Sequence, residues 1–243
     1  YCNCDDPFES NFFKYFAGNF NALGLKQLVA TSYKPSPIAN TELVLQSSLL
    51  PGYEDKIVQK PSGPKGRPKI TANKFVINEV SDLDGDGAFD LRDIAEQLKA
   101  NKNNEWAPLE LEGDFRSEES IELLEQADIV VTNPPFSLFL EYVKQLVEHE
   151  KKFLIIGSDN ARKYQDIFKL VQENKLWPGY SRVKEFMQPD GTVKKFGNVG
   201  WFTNLDVSKR HELLTLYKKY SPYEFPKYDN YDAIEVSKVS DIP

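Results

Sequence analysis

The tetrapeptide Asn133-Pro134-Pro135-Phe136 has residue types that could do chemistry on an amine. An amine conjugated to an aromatic ring is a poor nucleophile, because the ring delocalises its lone pair. The side-chain oxygen of Asn133 and the backbone carbonyl of Pro134 can accept both N–H bonds while the nitrogen pyramidalises. The prolines hold φ near about −65° and stiffen the loop, and Phe136 offers an aromatic face to a flipped base. The tetrapeptide therefore predicts an amine-binding loop, with a simple strand-ending turn as the alternative.

The elements that position this loop alternate between strands and helices. Residues 128–132 predict a buried strand directly before the tetrapeptide, and a helix over residues 137–148 and a strand over residues 153–157 follow it. This alternation predicts an α/β fold with a mostly parallel, doubly wound sheet. Residues 182–205 change to a pattern typical of antiparallel strands. The loop would then lie at the carboxyl end of a parallel strand, where open α/β sheets bind ligands.

The length of 243 residues predicts a single domain over residues 1–243. Residues 34–76 are rich in proline and break the alternation, so we expect an irregular insertion there. The chain begins at Tyr1 inside a predicted strand, and we expect residues to have been removed before it.

Composition excludes several classes of protein. The 30 Lys+Arg and 37 Asp+Glu leave a net charge of −7, which excludes a uniformly basic protein that coats nucleic acid. Cys2 and Cys4 are too close together for an ordinary disulfide bridge and too few for a zinc site, and they favour a reducing cytoplasm. No stretch approaches the roughly 18 apolar residues of a membrane helix, so no membrane partner is expected.

Residues 56–74 carry six cations and no acid. Within them, residues 65–69 (Lys-Gly-Arg-Pro-Lys) resemble the core of a minor-groove-binding AT-hook. Lys65, Arg67 and Lys69 therefore predict contact with the DNA backbone, and minor-groove insertion of Arg67 is a narrower version of the same hypothesis. A solvated, flexible loop is the alternative.

A second charged segment is acidic. Its carboxylates have the spacing of a calcium-binding loop, with Gly87 at the sharp turn, and they are Asp82, Asp84, Asp86, Asp90 and Asp93. The last position carries Asp93 where strong sites have the longer Glu. A calcium site and a merely solvated acidic turn both fit these residues.

The sequence also resembles a known family. Residues 128–137 (Asp-Ile-Val-Val-Thr-Asn-Pro-Pro-Phe-Ser) resemble the catalytic motif of S-adenosylmethionine-dependent methyltransferases that act on the N6 amine of adenine. Nearly the whole chain is similar to EcoRI-type adenine-specific DNA methyltransferases, most clearly at residues 2–7, 10–16, 113–117 and 197–205.

The resemblance implies a Rossmann-like methyltransferase fold and methyl transfer from S-adenosylmethionine to adenine N6 in double-stranded DNA. Such a reaction serves restriction-modification or phage and host DNA modification, with a cognate restriction nuclease as a further partner. Residues 133–136 would hold the target adenine. The cofactor pocket would be lined by Asp5, Asp6, Pro7 and Phe8, and the cofactor's adenine contacted by Asp114 and Phe115. Family members continue beyond Pro243, so the chain is expected to be trimmed at both ends.

Two alternatives use the same residues differently. An enzyme of this fold could methylate RNA or a protein glutamine, and a non-catalytic DNA-binding fragment could keep the fold alone. The basic insertion and the Asp-Pro-Phe turn at residues 6–8 favour DNA over a protein substrate.

Overall fold

The structure is a computed structural model. It describes residues 1–4, 10–33, 41–42, 58–59, 72–81, 103–111, 113–187, 192–213, 216–230, 232–236 and 241–243. The Cα positions divide the chain into two units, Tyr1–Leu205 and Asp206–Pro243. Within the described ranges, no helix is long and apolar enough to cross a membrane.

Serine side chains set the start of two helices in the first unit. Ser10 accepts hydrogen bonds from the N–H groups of Phe12 and Phe13, at 3.1 and 3.2 Å. Ser117 accepts one from the N–H of Ser120, at 3.2 Å. The α-helices are α1 (Asn11–Gly18), α2 (Glu118–Gln126), α3 (Phe139–Glu148) and α4 (Gln165–Gln172). Shorter 3-10 helices lie at Phe136–Leu138, Asp159–Lys163 and Ser208–His211.

The strands form several sheets, and the chain is of the mixed α/β class. The strands are β1 (Leu28–Thr31), β2 (Thr41–Glu42), β3 (Val58–Gln59), β4 (Asn73–Ile77), β5 (Glu105–Pro108), β6 (Ile129–Thr132), β7 (Lys152–Ser158), β8 (Trp177–Arg182), β9 (Glu185–Met187), β10 (Val193–Lys195) and β11 (Val199–Thr203). One sheet has the order β1-β4-β5 and another the order β6-β7-β11-β8. Antiparallel pairs β2-β3 and β9-β10 complete the set.

Strand direction departs from the prediction in the first half of the chain. Strands β6 and β7 are parallel as expected, and the antiparallel C-terminal part is confirmed by β11, which runs antiparallel to β7 and β8. However, β4 is antiparallel to both β1 and β5, so the described strand pairs are not mostly parallel. The prediction rested on the alternation of strands and helices, and the proline-rich sequence that precedes β4 interrupts this alternation, so it gave no information on the direction of β4.

Residues 1–3 connect the two larger sheets. The backbone of Cys2 makes hydrogen bonds of 2.8 and 3.1 Å with β1, and Cys2 and Ala30 form a parallel bridge. The backbone of Tyr1 makes two hydrogen bonds of 2.8 and 2.9 Å with β6. Backbone hydrogen bonds therefore continue from β5 through β4, β1 and residues 1–3 to β6, β7, β11 and β8.

A glycine in β7 allows α3 to pack closely on this sheet. Phe139, at the start of α3, is 2% exposed, and its ring lies 4.9 Å from that of Phe202 in an edge-to-face contact. A Cβ at Gly157 would overlap the ring of Phe139. The absence of a side chain at Gly157 therefore sets the separation between helix and sheet.

We predict that Gly157→Ala destabilises the fold by about 1–3 kcal/mol, since the added methyl group must displace the Phe139 ring. Gly197→Ala is the matched control, because a Cβ at Gly197 has no heavy atom within 4 Å. Urea unfolding of both variants and of the unmodified chain measures the difference. Equal midpoints for the two variants would show that the helix shifts freely.

Candidate active site at the carboxyl edge of the sheet

The predicted amine-binding loop follows directly after β6. Thr132 ends the strand and is fully buried, and Pro134 is also buried. Asn133 is exposed, and Phe136 is 43% exposed. The loop is therefore anchored through the side chains of Thr132 and Pro134, while the two side chains predicted to contact a base remain accessible.

The loop leads without a linker into α3. The N–H of Leu138 donates to the carbonyl of Pro135, at 3.0 Å, and this closes the 3-10 turn at Phe136–Leu138. The helix then buries Phe139 and Tyr142 against the sheet. Burial raises the pKa of the Tyr142 hydroxyl well above its ordinary value.

Asn3 lies next to this loop and is 2% exposed. The hydroxyl of Thr31, at the end of β1, donates to its side-chain oxygen at 3.1 Å. The hydroxyl of Thr132 donates to its backbone carbonyl. The next residue, Cys4, has a left-handed φ of 55°, so the chain turns sharply as it leaves the sheet. The predicted cofactor residues Asp5, Asp6, Pro7 and Phe8 follow from here and lie outside the described residues.

Gly113 brings a further segment to the same edge. Its φ is +70°, and a Cβ there would overlap the carbonyl oxygen of Ser32, just beyond β1. Only glycine suits this position, because it combines a left-handed backbone with a close approach to another strand. Asp114 follows, and hydrogen bonds from Arg116, the shortest 2.6 Å long, lower the pKa of its carboxyl group.

Phe115, by contrast, is a core residue. It is 2% exposed, and its ring contacts that of Tyr142 edge to face at 5.0 Å. Of the two residues expected to contact the cofactor's adenine, Asp114 is partly exposed at the edge and Phe115 packs beneath it. A cofactor contact by either residue stays a prediction.

The acidic residue that follows β7 at this edge is paired. Asp159 forms ion pairs with Arg162 at 2.8 Å and with Arg182 at 2.6 Å.

Two sets of predicted residues lie outside the described ranges. They are the basic residues Lys65, Arg67 and Lys69 and the acidic residues Asp82, Asp84, Asp86, Asp90 and Asp93. Among the residues that the structure describes, no group of three or more His, Cys, Asp or Glu residues could hold a metal ion. The calcium hypothesis is therefore untested.

Sequence reasoning missed the polar residues that hold the strand ends. Thr31 and Thr132 each occupy the last position of an apolar strand, Leu-Val-Ala-Thr and Ile-Val-Val-Thr. The sequence did contain a signal for these two residues, because both apolar runs end in a threonine. The role of Asn3 had no comparable signal, because it depends on contacts with residues 28 and 129 positions away.

Comparison with known proteins decides the family. The family model of the adenine-specific methyltransferase EcoRI matches residues 1–243. The chain therefore belongs to the EcoRI family of adenine-specific methyltransferases. No solved structure matches it.

Three curated relatives of this EcoRI-family chain align with its whole length. The Type II methyltransferase M.EcoRI of Escherichia coli is 41% identical, and the alignment covers 69% of that protein. M.MpnI of Mycoplasma pneumoniae is 34% identical with 65% covered, and M.MgeORF184P of Mycoplasma genitalium is 32% identical with 66% covered. The chain thus spans about two thirds of the length of these relatives.

We predict that Phe136→Ala in this EcoRI-family chain changes the free energy of unfolding by less than about 0.5 kcal/mol, because the ring is largely exposed. Phe139→Ala, three residues later, should cost about 3–5 kcal/mol, because that ring fills the core. Chemical denaturation of both variants measures the contrast. A large loss for Phe136→Ala would mean that its ring is structural and not available to a base.

Proposed function

We propose that this chain methylates the N6 amine of adenine in double-stranded DNA, with S-adenosylmethionine as methyl donor, and that residues 133–136 hold the target base. The proposal rests chiefly on one observation: Asn133 and Phe136 are accessible at the carboxyl end of β6, immediately beside Asn3. Membership of an adenine-specific methyltransferase family supports the same substrate.

The chemistry requires acceptors for the amine, and the loop has them. We assign the side-chain oxygen of Asn133 and the carbonyl of Pro134 to the two N–H bonds of the target amine. Holding both bonds directs the nitrogen lone pair away from the ring and toward the methyl donor. Phe136 would stack on the face of the extruded base. The new N–C bond would form as the bond between the methyl carbon and the sulfur of the donor breaks, leaving a neutral thioether, and the nitrogen would then lose one proton to water.

The strand ends around Asn3 are the proposed place for a bound S-adenosylmethionine. When bound, this cofactor supplies an electrophilic methyl group on a cationic sulfur. We propose that residues 5–8 line its pocket and that Asp114, at the neighbouring strand end, accepts a hydrogen bond from its adenosine part. The parallel contacts of residues 1–3 with β1 and β6 support a Rossmann-like arrangement of this half of the molecule.

The basic residues 65, 67 and 69 are proposed to contact the DNA backbone, since they give an otherwise acidic chain a local positive charge. The relatives are named Type II methyltransferases, and this supports a place in restriction-modification with a cognate nuclease as functional partner.

We expect Asn133→Ala to lower the rate of methyl transfer at least about a hundredfold, because a lost acceptor at the reacting nitrogen costs on the order of 3 kcal/mol. Folding and cofactor affinity should be nearly unchanged, since Asn133 is exposed. Asn230→Ala, at another exposed asparagine, is the control. The assay follows labelled methyl from S-adenosylmethionine into unmodified genomic DNA, with the modified nucleoside identified by mass spectrometry.

Each outcome of this assay has a clear meaning. N6-methyladenine in DNA, lost in Asn133→Ala and kept in Asn230→Ala, supports the proposal. Label in RNA or protein instead of DNA would overturn the substrate. Normal turnover by Asn133→Ala would overturn the role of the loop.

Replacing Lys65, Arg67 and Lys69 together by glutamine should weaken DNA binding and flatten its salt dependence. Each phosphate contact contributes roughly 0.9 to the slope of log K against log salt, so the slope should fall by as much as about 2.7. The control replaces Lys209, Lys219 and Lys227, which gives the same change in net charge from three exposed lysines. If the two triple variants weakened DNA binding equally, residues 65, 67 and 69 would act only through net charge and not through phosphate contacts of their own.

A further inference from the structure

The end of the β6 ladder is shared by two strand ends with different proposed roles. Asn3 and Cys4 precede residues 5–8 in the sequence, and residues 133–136 leave the sheet after Thr132. On the proposed function, residues 5–8 border the methyl donor and residues 133–136 hold the acceptor amine. The contact between Asn3 and Thr132 therefore joins the chain positions that precede the two segments.

At that point a side chain replaces the regular backbone pattern. The N–H of Val131 donates to the carbonyl of Tyr1 at 2.9 Å, which is an ordinary parallel contact. A continued ladder would bring the N–H of Asn133 to the carbonyl of Asn3. In the structure, the hydroxyl of Thr132 donates to that carbonyl, and the strand ends at Thr132. Asn133 is thus outside the ladder while its neighbour stays fixed to Asn3.

The other side of Asn3 is fixed as well. Thr31 donates to its side-chain oxygen at 3.1 Å, and the hydroxyl groups of Tyr1 and Thr31 are 3.2 Å apart. Asn3, Thr31 and Thr132 are each at most 2% exposed, so water does not compete for these hydrogen bonds. A left-handed φ, as at Cys4, is uncommon for a residue other than glycine. It needs support from its surroundings, and the hydrogen bonds of the neighbouring Asn3 provide it.

We propose that Thr132 is a positioning residue for methyl transfer: its hydrogen bond to the Asn3 carbonyl fixes Asn133 relative to Asn3, from which the chain leads toward the proposed methyl-donor site. This inference depends on the proposed function. Reacting atoms must approach to about 3–3.5 Å, and a misplacement of about 1 Å can cost a hundredfold in rate. Thr132 touches neither substrate nor cofactor, and it acts through the positions of Asn3 and Asn133.

The test compares two buried threonines in the full chain. Thr132→Val keeps the side-chain shape and removes the hydroxyl, and Thr132→Ser keeps the hydroxyl. Thr203→Val is the matched control, because Thr203 is 4% exposed and its hydroxyl donates to the carbonyl of Phe153 at 2.6 Å in β7. Phe153 lies near the start of β7, so this hydrogen bond is at the amino end of the strand, away from residues 133–136.

Single-turnover methyl transfer, equilibrium binding of S-adenosylmethionine and DNA, and the thermal midpoint are measured for each variant. We expect both valine variants to lose stability. Only Thr132→Val should lower the single-turnover rate, by about tenfold or more, with both dissociation constants changed less than about threefold. Thr132→Ser should recover most of that rate. Thr31→Val removes the hydrogen bond to Asn3 from β1, and it should also slow the chemical step if Thr132→Val does not fold.

A single-turnover rate in Thr132→Val equal to that of Thr203→Val would overturn the proposal. So would a rate that falls only in step with cofactor or DNA affinity. These failures differ from a failure of the proposed function, because in that case the unmodified chain would not methylate adenine in DNA or Asn133→Ala would remain active.

Discussion

The backbone hydrogen bonds of residues 1–3 hold the first unit together. Tyr1 is bonded to β6 and Cys2 to β1, and no other described strand lies between those two. Without this segment, the backbone N–H and C=O groups of β1 and β6 that it pairs would have no hydrogen-bond partner. Such unpaired groups cost free energy where they are buried, and they leave an open sheet edge where they are exposed. The same segment brings the ends of β1 and β6 within reach of one asparagine, and so it assembles the edge at which the candidate site lies.

The position of the elements could be predicted well in the second half of the chain and less well in the first. Strands β6 and β7 are short apolar runs bounded by polar residues, and α2 begins at a serine cap, so local sequence contains the necessary information. The direction of β4 could not be predicted, because the proline-rich sequence before it contains no pattern that fixes the direction of a strand. Strand β5 lies at Glu105–Pro108, and it lacks a buried run, since its two end residues are exposed and its two middle residues only partly buried.

The site divides in the same way. A candidate loop could be chosen from the sequence because its proposed chemistry is contained in four consecutive residues, and the structure keeps Asn133 and Phe136 accessible. The threonines that hold its neighbour were not predicted, since a buried hydroxyl has meaning only when its acceptor is known. Gly113 shows the same limit: its left-handed φ and its approach to Ser32 both arise from tertiary contact.

The loop at residues 133–136 has one further property, which is that its acceptors carry no formal charge. A carboxylate at position 133 would accept the same hydrogen bond as the side-chain oxygen of Asn133, but it would repel DNA phosphates in a chain whose net charge is already −7. It would also form an ion pair with a cationic methyl donor. Neutral amide and peptide oxygens avoid both effects, and their hydrogen bonds are not screened by dissolved ions as charges are. Ionic strength should therefore act on the encounter with the nucleic acid and leave the bond-making event itself nearly constant.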